Sequence, residues 1–557
     1  MLPGLPVREV PMSQPPVAER IFLGDSVLTM EPSSPRAEGV AVGGGRILAV
    51  GPRNDVLALR GAGTEVTELG ERALLPGFID GHGHIAKVAA SFGFANLAGP
   101  PVGAVTTMDE LVAELRRFAT EQGKQPGDWI VGRGYDNAFL AEGRHPTRDD
   151  LDRVSREHPI YLQHISGHLS VANSLALEMA GISAETDDPP GGVIRRREGS
   201  PEPNGVLEEA AMGPFGAGLI PPPSPEVEAA QLAAAQQLYA SFGLTTAQEG
   251  AMWPAEQAML EAAANEGRLT LDIVGYAFWA QARQMLAGKA TGAYTGRFKL
   301  GGMKLMLDGS PQGKTAWLTK PYHVIPEGQP ADYCGYPAMP DDRAAGLCAM
   351  AYREGWQVIA HCNGDAAAAQ YLQAIAAAEA SAPGSDRRPV MIHAQTVRDD
   401  QLDRMAELGI LPSFFASHVY YWGDYHRDSV LGEERARRIS PMRSARNRGL
   451  RLNLHNDSPV VPPDVMRLVW SAVERRTRTG HELGPEQALS VEEALRAVTI
   501  DAAYAHFEED RKGSISAGKL ADLVVLEADP RHVAAQDLAG IRVLETIKDG
   551  ATVFART

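Results

Sequence analysis

Eight short apolar runs, each paired with a stretch of helical character, recur between residues 75 and 507, and they constrain the fold more than any other feature of the chain. They are LPGFIDGHGH, LTTAQEG, LDIVGYAF, GGMKLMLDG, WQVIAHCNG, PVMIHAQ, ILPSFFAS and RLNLHND. Short apolar runs bounded by turn residues suit strands buried on both faces, and helices between them favour parallel pairing. PEVEAAQLAAAQQLYASFG before the second run and DAAAAQYLQAIAAAEA before the sixth are such helices. Eight strand–helix units predict an α/β protein of the (β/α)8 or TIM-barrel class.

The connection between the first two runs is far longer than an ordinary barrel loop. It holds strand candidates of its own, DWIVGRGYD and PIYLQHISGH, and the helix MDELVAELRRFATEQ, so residues 88–224 are expected to form an α/β insertion after strand 1. Outside the barrel span, 75–507, both ends of the chain have β texture. RIFLGDSVLTM, GVAVGGGRILAVG and TEVTEL lie at one end, GSISAGKLADLVVLE and VLETIKDGATVFA at the other, with Asp549-Gly550 as a hairpin turn. Neither end is large enough to bury a core alone, so residues 19–74 and 508–557 are predicted to make one composite β-sandwich domain. The proline-rich residues 1–18 are expected to be a disordered or loosely packed tail.

The formal charge of -17 arises from 53 basic and 70 acidic residues without a long block of either sign, which argues against nucleic acid or an anionic membrane as partner. No apolar run of about 18 residues and no signal-peptide pattern is present, so a cytoplasmic location is expected. Cys334, Cys348 and Cys362 are widely spaced and form no CxxC pair. That argues against a disulfide framework and a thiolate zinc site, leaving His, Asp, Glu or a less usual group as metal ligands.

Active sites of such barrels lie at the C-terminal ends of the strands. The first run closes on His82 and His84, which as alternate strand residues would share one face, with Gly83 leaving room for a ligand. The fifth reaches His361, the sixth His393, and the eighth closes with Asp457. Singly, each histidine reads as a core residue and Asp457 as a helix cap; together at strand ends they read as a metal centre. Lys304 interrupts the fourth run. A lysine there must be neutral, paired with a group such as Asp308, reaching out to the barrel mouth, or changed by carbon dioxide into a carbamate able to bridge two metals.

LPGFIDGHGH, KLMLDGSPQGKTA, VIAHCNGDAA, MIHAQ, LNLHNDSPV and GSISAGKLADLVVLE run along nearly the whole chain, and in them it resembles the amidohydrolase superfamily of metal-dependent hydrolases, in the branch that includes N-substituted formamide deformylases. The resemblance implies a (β/α)8 barrel, a composite β domain and a centre of two divalent ions, with zinc the first choice. It implies that His82, His84 and Asp457 bind the more buried ion, His361 and His393 the more exposed one, and a Lys304 carbamylated by CO2 bridges them.

Substrate-binding candidates are His168, Arg133 and Tyr135 in the insertion, Trp317 after strand four, and Tyr421 and Trp422 beside Tyr420 after strand seven. His418 is a candidate catalytic donor, Glu249 a partner of the metal ligands, and Glu208 and Glu209 are assigned to the insertion itself. The expected reaction is hydrolysis of a C–N bond in a small amide or formamide with a hydrophobic or aryl N-substituent, with Asp457 as proton shuttle. A mononuclear deaminase is the alternative, although no glutamate follows His361; a non-catalytic scaffold is the third reading. A small-molecule amide is the expected partner, with no nucleic acid or membrane, in a chain that would suit a homodimer.

Overall fold

The computed structural model describes residues 17–326 and 328–556. The tail expected over residues 1–18 lies outside the described residues but for its last two, of which Ala18 opens a strand.

All eight apolar runs are strands. Phe78–Ile79, Leu244–Met252, Asp272–Phe278, Phe298–Met306, Gln357–Cys362, Val390–His393, Leu411–Phe414 and Asn453–Leu454, numbered β1 to β8, lie side by side in chain order. Each is parallel to its neighbour. Val274, Tyr276, Ile359, Val390, Ile392 and Leu411, from β3, β5, β6 and β7, meet in one buried cluster, as they can only if the sheet curls about them. Its two ends come together just beyond the strands: the His84 N–H donates to the Ser458 carbonyl at 2.8 Å, and the Asp457 N–H to the His82 carbonyl at 3.2 Å. The arrangement fits a (β/α)8 barrel.

The helices have local causes. Ser224 caps Pro225–Ser241 by accepting from the Val227 N–H, with proline at the first turn, where no N–H is needed. Asp399–Leu408 stops at Gly409, whose φ of 64° is the left-handed conformation that terminates a helix. The alanine-rich Asp365–Ser381 buries Ala367, Tyr371 and Ile375 in the main core.

Between β1 and β2 a separate six-stranded sheet contains Ile130–Tyr135, Ile160–His164, Leu169–Ala172 and Pro203–Glu209. The helix Met108–Glu121 lies beside it, opened by a capping box of Thr107 and Glu110.

Strands from the two ends of the chain share a third sheet of eight strands. Ala73–Pro76 pairs antiparallel with Leu523–Leu526, and the last two strands turn at Asp549 and Gly550, with φ of 47° and 78°, as a two-residue hairpin requires. Buried charges tie this region to the N-terminal end of the barrel. Lys512 Nζ is 2.5 Å from Asp272, which opens β3, and 3.1 Å from Glu508, while Lys299 of β4 is 2.8 Å from Glu508.

Candidate metal centre

β1 stops at Ile79, and Asp80-Gly81-His82-Gly83 form a turn before the helix Ile85–Ser91 begins behind His84. The two histidines therefore sit on a turn and not on alternate strand positions; the turn sets their rings edge-on, with centroids 5.0 Å apart. Close contacts demand both glycines. A side-chain carbon at Gly81 would lie 2.5 Å from the Leu454 carbonyl oxygen, and one at Gly83 would lie 2.3 Å from Asp80 Oδ2. Gly83 makes room for a carboxylate of the chain rather than for a ligand.

Ligand atoms of His82, His84 and Asp457 all lie within 4.8 Å of one another. Asp457 Oδ1 is 3.5 Å from His82 Nε2 and 3.3 Å from His84 Nε2. His361 Nδ1 is 3.1 Å from His393 Nε2, which is 3.9 Å from Asp457 Oδ2. Two ligands about 2.1 Å from a zinc ion at the tetrahedral angle stand about 3.4 Å apart, so these spacings suit ligands of a common ion. Among the described residues Asp457 Oδ1 is buried without a hydrogen-bond partner, which suits an oxygen that would bind a metal ion.

Each imidazole is held with one nitrogen free. The Gln248 amide nitrogen donates to the Gly81 carbonyl at 3.3 Å, so its oxygen faces His82 Nδ1 at 2.6 Å and takes that proton, leaving Nε2 bare. Glu249 does the same for His84, at 3.3 Å from Nδ1, and is fixed by the Ala86 N–H at 2.9 Å. His361 donates through Nε2 to the Gly309 carbonyl at 3.0 Å, leaving Nδ1 bare. Burial pushes His361 and His455 down to about 3 and keeps His82 and His393 well below the ordinary imidazole range. Neutral rings are the form that binds metal.

Lys304 Nζ lies 3.0 Å from His82 Nε2, and its side chain is 1% exposed. Burial lowers it to about 8. Asp308 is not its partner, for that carboxylate accepts from the backbone N–H groups of Asn363, Gly364 and Trp317 at 3.0, 2.7 and 3.0 Å. Among the described residues no carboxylate lies within ion-pair distance of Lys304. The donor set of imidazoles, carboxylate and amine fits one or two divalent ions.

The remaining candidates are spread more widely. His418 is 3% exposed, its ring 6.4 Å from that of His393, with Nε2 3.2 Å from the Gln312 amide and Nδ1 buried without a partner. His168 Nδ1 is 3.0 Å from Glu209, and its ring is 5.6 Å from that of His361. Arg133 donates to the Pro459 carbonyl, two residues beyond Asp457. Tyr135 is not brought to the cluster: it is fully buried in the six-stranded sheet, its hydroxyl 3.2 Å from His145 Nδ1. Trp317 packs against the main core beside Asp308.

Tyr421 and Trp422 belong to the helix His418–Tyr425 rather than to a loop. They are 6% and 2% exposed, packed with Phe415 and Val461 against Val102, Phe139 and Ile165 of the inserted segment, and Trp422 Nε1 donates to Asp136 at 2.8 Å. They pack the residues between β1 and β2 against the barrel, with the Trp422 ring 5.4 Å from that of His418.

Two residues of the cluster escape a reading of strand ends alone. Gln248 looks like an ordinary core amide, and His455 stands two residues before Asp457, where alternation along LNLHND would have pointed to it. His455 Nε2 is 3.2 Å from His393 Nδ1, and its own Nδ1 is 2.8 Å from Ser413 Oγ.

The sequence profile described as the amidohydrolase family matches residues 65–554. The chain is 28% identical over 552 residues to the N-substituted formamide deformylase of Arthrobacter pascens, covering 96% of this chain and 98% of that one. It is 29% identical over 559 residues to the protein LONG AFTER FAR-RED 3 of Arabidopsis thaliana, covering 97% and 92%. Among solved structures, an uncharacterized metal-dependent hydrolase from Pyrococcus furiosus matches with a TM-score of 0.71 at 25% identity, over 92% of this chain and 99% of that one.

Proposed function

The chain belongs to the amidohydrolase family, and from that premise we propose that it hydrolyses the C–N bond of a small N-substituted amide or formamide at the His82–His84–Asp457 cluster. It is a metal-dependent amidohydrolase; the bond, the ions and the residue roles are our reading. The observation that carries it is the unpartnered Oδ1 of Asp457 between the bare nitrogens of His82 and His84. His82, His84 and Asp457 would hold one zinc ion and His361 and His393 a second, with Lys304 as a carbamate between them. Two such ions supply an acidic water and polarise a carbonyl oxygen.

The chain's own groups do the rest. Asp457 takes the proton of the attacking water and returns it to the leaving nitrogen, so one carboxylate serves as base and then as acid. His418, its Nδ1 unpartnered, donates to the substrate oxygen as negative charge grows there. Gln248, Glu249 and the Gly309 carbonyl keep the imidazoles from rotating away.

An apolar substituent is supported by Trp253 and Phe278. Phe278 of β3 stands in register with Lys304 of β4, so both face the same side of the sheet. Trp253, 44% exposed, stacks on Phe278 at 5.0 Å. We read residues 88–224 as an insertion beside this mouth, and the terminal sheet as a composite domain that supports the far end of the barrel.

The test is a screen of N-alkyl and N-aryl formamides and acyl amides on metal-reconstituted protein, with bound metal counted and released amine and acid measured. Hydrolysis with two ions per chain supports the proposal; ammonia release from ring substrates with one ion would replace it by a deaminase.

A further inference from the structure

Outside the proposed ligand set, one hydrogen-bonded pair from the six-stranded sheet reaches the cluster. Leu169 and Glu208 are partners across that sheet, so His168 and Glu209, the next residues outward on their strands, meet at its end. The Glu209 N–H donates to the His168 carbonyl at 3.1 Å, and the Glu209 carboxylate accepts from His168 Nδ1 at 3.0 and 3.1 Å. His168 Nε2 is left without a protein partner among the described residues, on a ring edge-on to that of His361.

Two further observations set the pair apart from an ordinary ion pair. Glu209 has φ of 47°, a conformation that glycine adopts freely and other residues rarely, and such backbone persists where surrounding contacts hold it. Its carboxylate also lies near Gly309, where a side-chain carbon would come 3.2 Å from Oε1 and 2.1 Å from Thr315 Oγ1. Gly309 is the residue whose carbonyl takes the His361 proton at 3.0 Å. Glu209 thus hydrogen-bonds His168 and stands beside, without bonding to, the backbone that orients His361.

We propose that Glu209 is a positioning residue, which by binding Nδ1 fixes the His168 ring so that Nε2 faces the scissile group of the bound amide. This rests on the hydrolase reading above. It makes the inserted segment part of the working site, for the barrel alone supplies neither residue. The strained backbone of Glu209 is then explained as the means of turning its carboxylate inward from the end of a strand.

The test uses the metal-loaded full-length protein and the variants Glu209→Ala, Glu209→Gln, His168→Ala and the Glu209→Ala/His168→Ala double variant. Glu209→Ala should lower kcat/KM by about 10- to 100-fold, the usual range for a residue that orients another, with metal content unchanged. Glu209→Gln, whose amide oxygen can still accept from Nδ1, should recover part of that loss. The double variant should be no worse than His168→Ala alone, because Glu209 acts through His168. Losses that add in the double variant, or a Glu209→Ala protein within twofold of wild type, would overturn the inference. A readout without substrate is the 15N-histidine spectrum, in which a protected Nδ1–H of His168 should vanish in Glu209→Ala. Its absence from the wild-type spectrum would also overturn the pairing, whereas its presence in a protein that hydrolyses no amide would locate the failure in the functional reading.

Discussion

His455 Nε2 and His393 Nδ1 lie 3.2 Å apart, and Ser413 Oγ meets the far side of His455 at 2.8 Å. With Ser413 accepting from His455 Nδ1, His455 Nε2 is an acceptor and draws the Nδ1 proton of His393 toward itself. His393 is left with a bare Nε2 beside His361. His455→Phe should therefore weaken metal binding at the His361–His393 pair by about 10- to 100-fold while leaving the His82–His84–Asp457 ion in place. Metal counted after dialysis against graded chelator would show it; two ions retained at wild-type affinity would contradict it.

Lys304→Ala should lose one of the two ions, and a short carboxylic acid added at millimolar concentration should restore part of the activity by standing in for the carbamate. Full occupancy without the acid would remove the bridge from the mechanism.

Asp457→Asn keeps an oxygen for the metal but cannot carry a proton. Turnover should fall by at least about 100-fold, the scale of a lost general base, while bound metal stays near the wild-type count. A fully active variant would exclude Asp457 as the shuttle.

Acid should release the far end of the barrel. Burial alone would raise Glu508, but Lys512 and Lys299 outweigh it and hold the carboxyl at about 2. Because the folded value lies below the unfolded one, this contribution is complete above about pH 4.3 and is lost as pH falls through 2. The difference corresponds to about 3 kcal/mol. Urea unfolding of the wild type between pH 5 and pH 2.5 should show about 2 kcal/mol of that loss, and Glu508→Gln should flatten the pH dependence at the expense of about 3–5 kcal/mol at pH 7, where it leaves Lys299 without a carboxylate while Lys512 keeps Asp272.

Trp253→Ala should reduce kcat/KM for an N-benzyl amide by about fivefold and leave an N-methyl amide nearly unchanged, as expected for one aromatic contact worth about 1 kcal/mol. Equal effects on both substrates would place the apolar group elsewhere.

Much of this architecture could be read from residue pattern, for a specific reason. Barrel strands are buried on both faces and so appear as unbroken apolar runs, which is why even β1 and β8, two residues long as strands, stood out. The six proposed ligands were visible because each closes or interrupts such a run. What failed was local geometry at the ends. His82 and His84 converge through a glycine turn, not through strand alternation, because Gly81 must pass within contact of Leu454 on a strand far along the chain. Tyr421 and Trp422 looked like a specificity loop because nothing near them in sequence shows that Asp136 and Phe139 come to cover them. Glu209 reads from sequence as a residue of the insertion alone, since its approach to Gly309 exists only once two separately patterned sheets have docked.

The pairing of Ala73–Pro76 with Leu523–Leu526 has a consequence for biosynthesis. The strand that precedes β1 and the histidine turn leaves the ribosome tens of seconds before its partner, at the usual rate of about 5–20 residues per second. Until then Ala73–Pro76 has the N-terminal strand Ala18–Leu28 on one edge but no partner on the other, so the sheet that buries Leu74 and Leu75 in the finished protein is incomplete. The turn that carries the proposed ligands His82 and His84 is therefore synthesised early, while the sheet behind it is completed only near the end of the chain. A nascent chain that stalls before residue 523 should present this apolar edge to chaperones, and truncation of the last strands should impair metal retention from the opposite end of the molecule.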